Sequence, residues 1–291
     1  MADTLKQITT IKNRLFHLCG INDDTSRKLG FIVANKTFDI NKFASRFLNT
    51  RYKPNHSRIE IDITYACNLH CLNCNRSCTQ APTNEYMTVE QIDKFVQESI
   101  EKDRKWEKIR VMGGEPTLHP DLFDILKSLL SYKNKFSPKT RIIIVSNGFG
   151  PKVKKVLAKI PEGIEIENTQ KISVVNKFYS FNIAPVDLVQ YKQTDFSRGC
   201  FVTAFCGIGL NRYGYYPCAA GGGIDRVAGF GIGRKELPAC DDLMRDELQN
   251  LCRYCGLFKS DNTKINGEEM SSSWKEIYEK AKKEKPNMQI Y

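Results

Sequence analysis

The stretch Arg58-Ile59-Glu60-Ile61-Asp62-Ile63-Thr64-Tyr65-Ala66-Cys67-Asn68-Leu69-His70-Cys71-Leu72-Asn73-Cys74 passes from a regular alternation straight into three closely spaced cysteines. Ile59, Ile61 and Ile63 fall on one side, and Glu60, Asp62 and Thr64 on the other, the period of two that a β-strand imposes when its faces meet different surroundings. The strand ends where Cys67, Cys71 and Cys74 begin a Cys-x3-Cys-x2-Cys array. Three soft thiolates at short, unequal spacing can wrap one small metal centre. Iron-sulfur clusters normally take four thiolates, so three leave one iron with an open position for direct ligand binding.

Downstream, the period switches between helix and strand. Thr88 and Gln91 form a capping-box signature ahead of Val89, Ile92, Val96 and Ile100, which predicts a helix. A second strand is expected over residues 108 to 112. Pro120 suits a helix start, and Leu122, Phe123, Leu126, Leu129 and Leu130 repeat at helical spacing before a third strand over residues 141 to 145. Val153, Val156, Leu157 and Ile160 predict another helix, followed by a strand over residues 164 to 167. Strands and helices alternating through short loops imply a parallel α/β sheet, whose chemistry gathers at the carboxyl ends of its strands. The cysteine loop sits at such an end. Residues 1 to 57 read as an N-terminal helical extension, with Phe38 to Leu48 its most amphipathic piece.

Composition narrows the class. The chain has 291 residues, 41% of them hydrophobic and 26% charged, enough to bury a core without help from a cofactor. No apolar run approaches the roughly 18 residues of a membrane helix. The first residues lack the order of a secretory signal, so the expected location is a reducing cytoplasm and the cysteines are expected as thiols. Eleven cysteines, odd in number and clustered, favour metal ligation over a disulfide framework. The net charge of +11 is spread along the chain, without the basic tract of a nucleic-acid arm. It biases the protein toward anionic ligands, or serves as a solvated surface that keeps it soluble.

A second constellation follows in Cys200, Cys206, Cys218, Cys240, Cys252 and Cys255. The turn Asn211-Arg212-Tyr213-Gly214 between apolar flanks predicts a β-hairpin ahead of Cys218. Cys252-Arg253-Tyr254-Cys255 supplies a Cys-x2-Cys knuckle, and a hairpin and a knuckle that converge can close a four-thiolate site. Tyr213, Tyr215, Tyr216 and Arg226, with Gly221 to Gly223, either line a pocket near that site or simply pack. Cys19 and Cys240 are expected as ordinary buried thiols, and the histidines as structural or surface groups.

The cysteine loop resembles that of the radical S-adenosylmethionine (radical SAM) enzymes, and Met112-Gly113-Gly114-Glu115-Pro116 after the second strand is similar to the family's Gly-Gly-Glu-Pro turn. Ser146-Asn147-Gly148 after the third strand is similar to its short polar turn near the cofactor's carboxylate or ribose. The resemblance implies a [4Fe-4S] cluster on Cys67, Cys71 and Cys74 that binds S-adenosyl-L-methionine at its unligated iron and cleaves it reductively to a 5'-deoxyadenosyl radical. Gly113, Gly114, Glu115, Pro116, Ser146, Asn147 and Asn73 would contact the cofactor, Glu115 by accepting from the cofactor's ammonium group. It also implies a partial (β/α)6 TIM-like barrel with Glu60 and Asp62 facing the interior, and an electron donor such as flavodoxin or ferredoxin. Two positions depart from the pattern. Asn73 stands where the family usually has an aromatic residue beside the adenine, and Cys78 follows Cys74 by four, which permits a four-cysteine reading with no open iron or a spare buried thiol.

The last third resembles the Twitch domain, a shortened relative of the SPASM domain. This implies an auxiliary [4Fe-4S] cluster on Cys218, Cys252 and Cys255, with Cys200 or Cys206 as the fourth ligand; structural zinc at the same thiols is the alternative. The expected organisation is residues 1–57 as the extension, 58–195 as the barrel, 196–260 as a small β-hairpin/helix cluster domain and 261–291 as a helical tail. The expected function is radical oxidation of a small anionic or sugar-like substrate with help from the second cluster. Peptide modification or epimerisation, an iron-sulfur electron carrier, and a zinc-bearing nucleic-acid-binding protein are the alternatives.

Overall fold

A computed structural model describes residues 51–178, 180–259 and 269–291; the helical extension, apart from its last residues, and Cys19 lie outside the described residues. Six strands form one sheet: β1 (Arg58–Thr64), β2 (Lys108–Gly113), β3 (Arg141–Ser146), β4 (Ile164–Asn168), β5 (Ile208–Asn211) and β6 (Gly214–Tyr216). Their order is β4-β3-β2-β1-β5-β6, parallel from β4 through β5 and antiparallel between β5 and β6. Helices α1 (Val89–Glu101), α2 (Leu122–Lys135) and α3 (Pro151–Leu157) link the first four strands. The α/β reading with a mostly parallel sheet therefore holds, in the manner of a partial TIM-like barrel.

Alternation decides which face packs. Ile59, Ile61, Ile63, Ile109, Val111, Ile142, Ile144, Ile208 and Leu210 share one buried cluster with Ile92 and Phe95 of α1 and Ile125, Leu126 and Leu129 of α2. Each such side chain contributes roughly 1.5–3 kcal/mol on leaving water. Opposite residues fill the inner face: Glu60 lies level with Arg110 on β2 and Gly209 on β5, and Asp62 with Met112.

The helix ends follow local chemistry. Thr88 and Gln91 make both reciprocal bonds of the capping box, which starts α1. Pro120 does not open α2; the N-cap is Asp121, whose amide donates to His119 Nδ1 at 3.0 Å, so the proline sits in the preceding turn. Ile160 falls outside α3, because the amides of Lys159 and Ile160 reach back three residues to Val156 and Leu157 ahead of Pro161.

The predicted hairpin forms, but it joins the main sheet instead of standing in a unit of its own. Its first strand pairs with β1, where Ile208 and Leu210 extend the apolar outer face and cover an edge that would otherwise be open. The sheet thus spans the boundary expected at residue 195, and the described residues from Arg51 onward form one compact unit. After the hairpin come α5 (Ala219–Ala228), α6 (Arg245–Leu251) and α7 (Ser272–Lys283), with α4 (Phe201–Cys206) just before it. A second core holds Phe181, Tyr216, Cys218, Ile224, Leu251, Cys255, Trp274 and Tyr278, so the tail helix α7 is built into the body.

Candidate active site

Cys67, Cys71 and Cys74 line one cavity of about 260 Å³ at the carboxyl ends of β1 to β4, together with Gly113, Gly114, Ser146, Asn147, Glu167 and Lys171. The loop is placed by close backbone approach. Gly114 N donates to Thr64 O and Glu115 N to Ala66 O, each at 2.8 Å. A Cβ on Gly113 would lie 2.1 Å from Thr64 O, and one on Gly114 would lie 2.2 Å from Ala66 O. Gly113 also has φ +129°, so glycine is required there on two counts. The glycine turn thus lets β2 cross the start of the cysteine loop.

Glu115 is fully buried and ties two strand ends together. Its Oε1 accepts from Ser146 Oγ at 2.9 Å and Thr117 Oγ1 at 2.7 Å, and its Oε2 from Asn147 N at 2.8 Å. Gly113, Gly114, Ser146 and Asn147 face the cavity; Glu115 and Pro116 stand behind it. Asn68 bridges the loop to the same turn, accepting from Asn147 Nδ2 and donating to Phe149 O, both at 2.8 Å. Asn73 is also set back: buried, with φ 56°, it accepts from Asn182 N at 3.0 Å.

The thiols differ in environment. Burial pushes Cys67 up to about 12 and raises Cys71 as well. The Cys78 thiol, on the same cavity, hydrogen-bonds Cys74 and brings it down to about 6. Among the described residues no three His, Cys, Asp or Glu side chains converge closely enough for a single metal ion. The three thiols surround a space, which suits a multi-iron cluster better than one ion with thiolates at ~2.3 Å.

A buried charge ladder floors the cavity. Arg76 donates to Glu60 at 2.8 Å and Asp62 at 3.1 Å, and Arg110 bridges Glu60 at 2.5 Å and Glu167 at 2.7 Å. Glu60 and Asp62 do point inward, and both are held by arginine. Burial lifts the Asp62 carboxyl to about 6 despite Arg76. Burial also acts to raise Glu60, but Arg76 and Arg110 together hold it below the usual range. Arg76, Arg110, Glu167 and Lys171 are site residues that the sequence reading missed. Arg110 and Glu167 were legible in principle as polar positions of the strands.

Cys200, Cys218, Cys252 and Cys255 line a second, small apolar cavity with Gly221, Ile224 and Leu251. Burial raises Cys218 to about 12, and raises Cys252 and Cys255 well above the ordinary thiol value. Cys206 does not line this cavity; it lies within electrostatic reach of Glu60, Arg110, Arg76 and Cys218. Cys240 is exposed, contrary to expectation. Tyr213, Tyr215 and Tyr216 pack, their hydroxyls donating to Glu85, Glu98 and Asp225, and Arg226 holds the carbonyls of Arg76, Ser77 and Ala81. His119 and His56 bond the carbonyls of Met87 and Asp242, while His70 is exposed.

Comparison with known proteins finds partial matches. Over 121 residues, 41% of this chain and 40% of the relative, the sequence is 28% identical to a probable GTP 3',8-cyclase of Methanocaldococcus jannaschii. It is 34% identical over 91 residues, 29% of this chain and 13% of the relative, to molybdenum cofactor biosynthesis protein 1 of Bos taurus. The chain thus spans well under half the length of these relatives. Among solved structures, BtrN in complex with AdoMet and 2-DOIA is 17% identical with a TM-score of 0.41, covering 74% of this chain and 96% of that one. Streptococcus suis SuiB bound to precursor peptide SuiA is 13% identical with a TM-score of 0.37, covering 80% and 76%. The model of the Radical SAM superfamily matches residues 61–166, the span from β1 into β4 that carries the cysteine loop and the glycine turn, and the chain therefore contains a Radical SAM superfamily domain.

Proposed function

We propose that this protein is a radical SAM enzyme that acts on a small polar substrate, with a second iron-sulfur cluster on Cys200, Cys218, Cys252 and Cys255. One observation carries the reading: the thiols of Cys67, Cys71 and Cys74 line a single cavity with Gly113, Gly114, Ser146 and Asn147, which three different strands deliver. When bound, the [4Fe-4S] cluster would supply the electron that cleaves S-adenosylmethionine to a hydrogen-abstracting 5'-deoxyadenosyl radical. The chain's own share is placement. Gly113 and Gly114 let the end of β2 lie against the backbone of Thr64 and Ala66 at the start of the cysteine loop, and Glu115 fixes Ser146 and Asn147 at the cavity rim.

The paired charges on the floor offer both donors and acceptors, which suits a hydroxylated or sugar-like molecule. Lys171, on the wall beside Cys71, adds a cationic contact for an anionic group. The second thiol set sits in an apolar pocket, and four soft thiolates of this kind suit an iron-sulfur cluster. A second centre would accept the electron left on the substrate after hydrogen abstraction and proton loss, giving an oxidised product.

Anaerobic reconstitution followed by dithionite and S-adenosylmethionine should yield 5'-deoxyadenosine and methionine, and Cys71→Ala protein should yield neither. Iron bound without cofactor cleavage would leave an electron carrier as the answer, and zinc without iron would exclude both.

A further inference from the structure

Residues 169 to 178 cross from the end of β4 to the cysteine loop and pair with it. His70 N donates to Val174 O at 2.8 Å, Leu72 N to Asn176 O at 2.7 Å, and Phe178 N to Leu72 O at 3.1 Å. Asn176 also hydrogen-bonds Cys71 through both its backbone and its side-chain amide. Both neighbours of Cys71 are thus clamped to this strap. Its outer side is apolar and open: Ile172 is 93% exposed, Val175 51% and Val174 39%, with exposed His70 beside them. Folding does not require a side chain as large as isoleucine at such exposure.

The strap itself carries charge of one sign. The strap carries Lys171 and Lys177 and no carboxylate. Asn68 and Asn147 join the loop to the start of α3, where Lys152, Lys154 and Lys155 are exposed and no acid occurs between Ser146 and Pro161. The carboxylates of β4 are already engaged, Glu165 by Arg141 and Glu167 by Arg110. An apolar centre with a basic rim, one peptide unit from a thiol of the cavity, fits an acidic partner that must come close to that thiol.

We propose that the strap, with Ile172, Val174 and Val175 at its centre and Lys152, Lys171 and Lys177 at its rim, is the docking surface for an acidic, low-potential one-electron carrier protein. This rests on the function proposed above. The carrier is oxidised by one electron and the centre held by Cys67, Cys71 and Cys74 gains it, with no bond made or broken and no proton moved.

The test uses the full chain, an acidic flavodoxin and a redox-inert acidic protein of similar charge. Binding is measured by biolayer interferometry at about 0.05 M and about 0.5 M salt, where screening differs strongly. Flavodoxin should bind at low salt and weaken at high salt, and the double variant Ile172→Glu/Val175→Glu should weaken it by at least about tenfold. Cofactor cleavage driven by dithionite, which needs no docking, should stay within about twofold of wild type in that variant. Unchanged flavodoxin binding in the variant, equal binding of the inert protein, or a wild-type dimer that the variant dissociates would each overturn the proposal. A wild-type protein that cleaves nothing with dithionite defeats the underlying function instead, which separates the two failures.

Discussion

Cys200 and Cys206 are six residues apart, and α4 sends their thiols to different places. Cys200 lines the pocket of Cys218, Cys252 and Cys255, while Cys206 sits near Glu60 and Arg110. Reconstituted Cys200→Ala should therefore hold about half the wild-type iron, and Cys206→Ala nearly all of it, if each site takes one cluster; equal losses would contradict the assignment. At Asp62 the folded carboxyl titrates at about 6 against an ordinary 3.8. The folded state then binds more protons than the unfolded one between those values, so this group's contribution declines as pH rises from about 4 to about 6. Urea unfolding across that window should show the decline in wild type and lose it in Asp62→Asn. Arg76→Met should cost about 3–5 kcal/mol, because two buried carboxylates would lose their shared cation. Spacing alone made Cys67, Cys71 and Cys74 legible as one set, since a single loop carries them. Arg76 was not legible, because its role depends on the loop folding back over β1.

Among the elements, β1 to β4 and their helices follow from hydrophobic periodicity, with a capping box added at α1, signals that act within a few residues. The hairpin's partner did not. Pairing of β5 with β1 joins residues about 150 apart in the chain, and nothing local distinguishes that edge from an independent ribbon. The glycine turn is the most demanding junction. Gly113→Ala would drive a methyl group into Thr64 O and impose a backbone conformation alanine avoids, so the variant should be strongly destabilised or fail to assemble the cysteine loop. Loss of iron uptake together with a lowered thermal midpoint would show this; a normal midpoint would contradict it. The tail helix α7 makes a comparable commitment through Trp274, which is fully buried against Phe181 and Tyr278. Trp274→Ala should cost about 3–5 kcal/mol in denaturant unfolding.

In the molecule as a whole, the two thiol sets lie on segments outside the strands, one on the loop after β1 and the other on helix ends around the hairpin. Because β6 runs against β5, the chain leaves the hairpin at the opposite end of the strands from Cys67. Arg76 acts electrostatically on Cys74 and on Cys218, so the charge ladder stands between the two sets. The run from Glu60 to Thr64 alone is about 13 Å, at ~3.3 Å per residue. Strand length therefore sets the gauge between the two ends of the sheet. Insertions in the connection from β4 to α4 can lengthen the chain without altering that gauge. A lineage could remodel the pocket's outer wall while keeping that interval fixed.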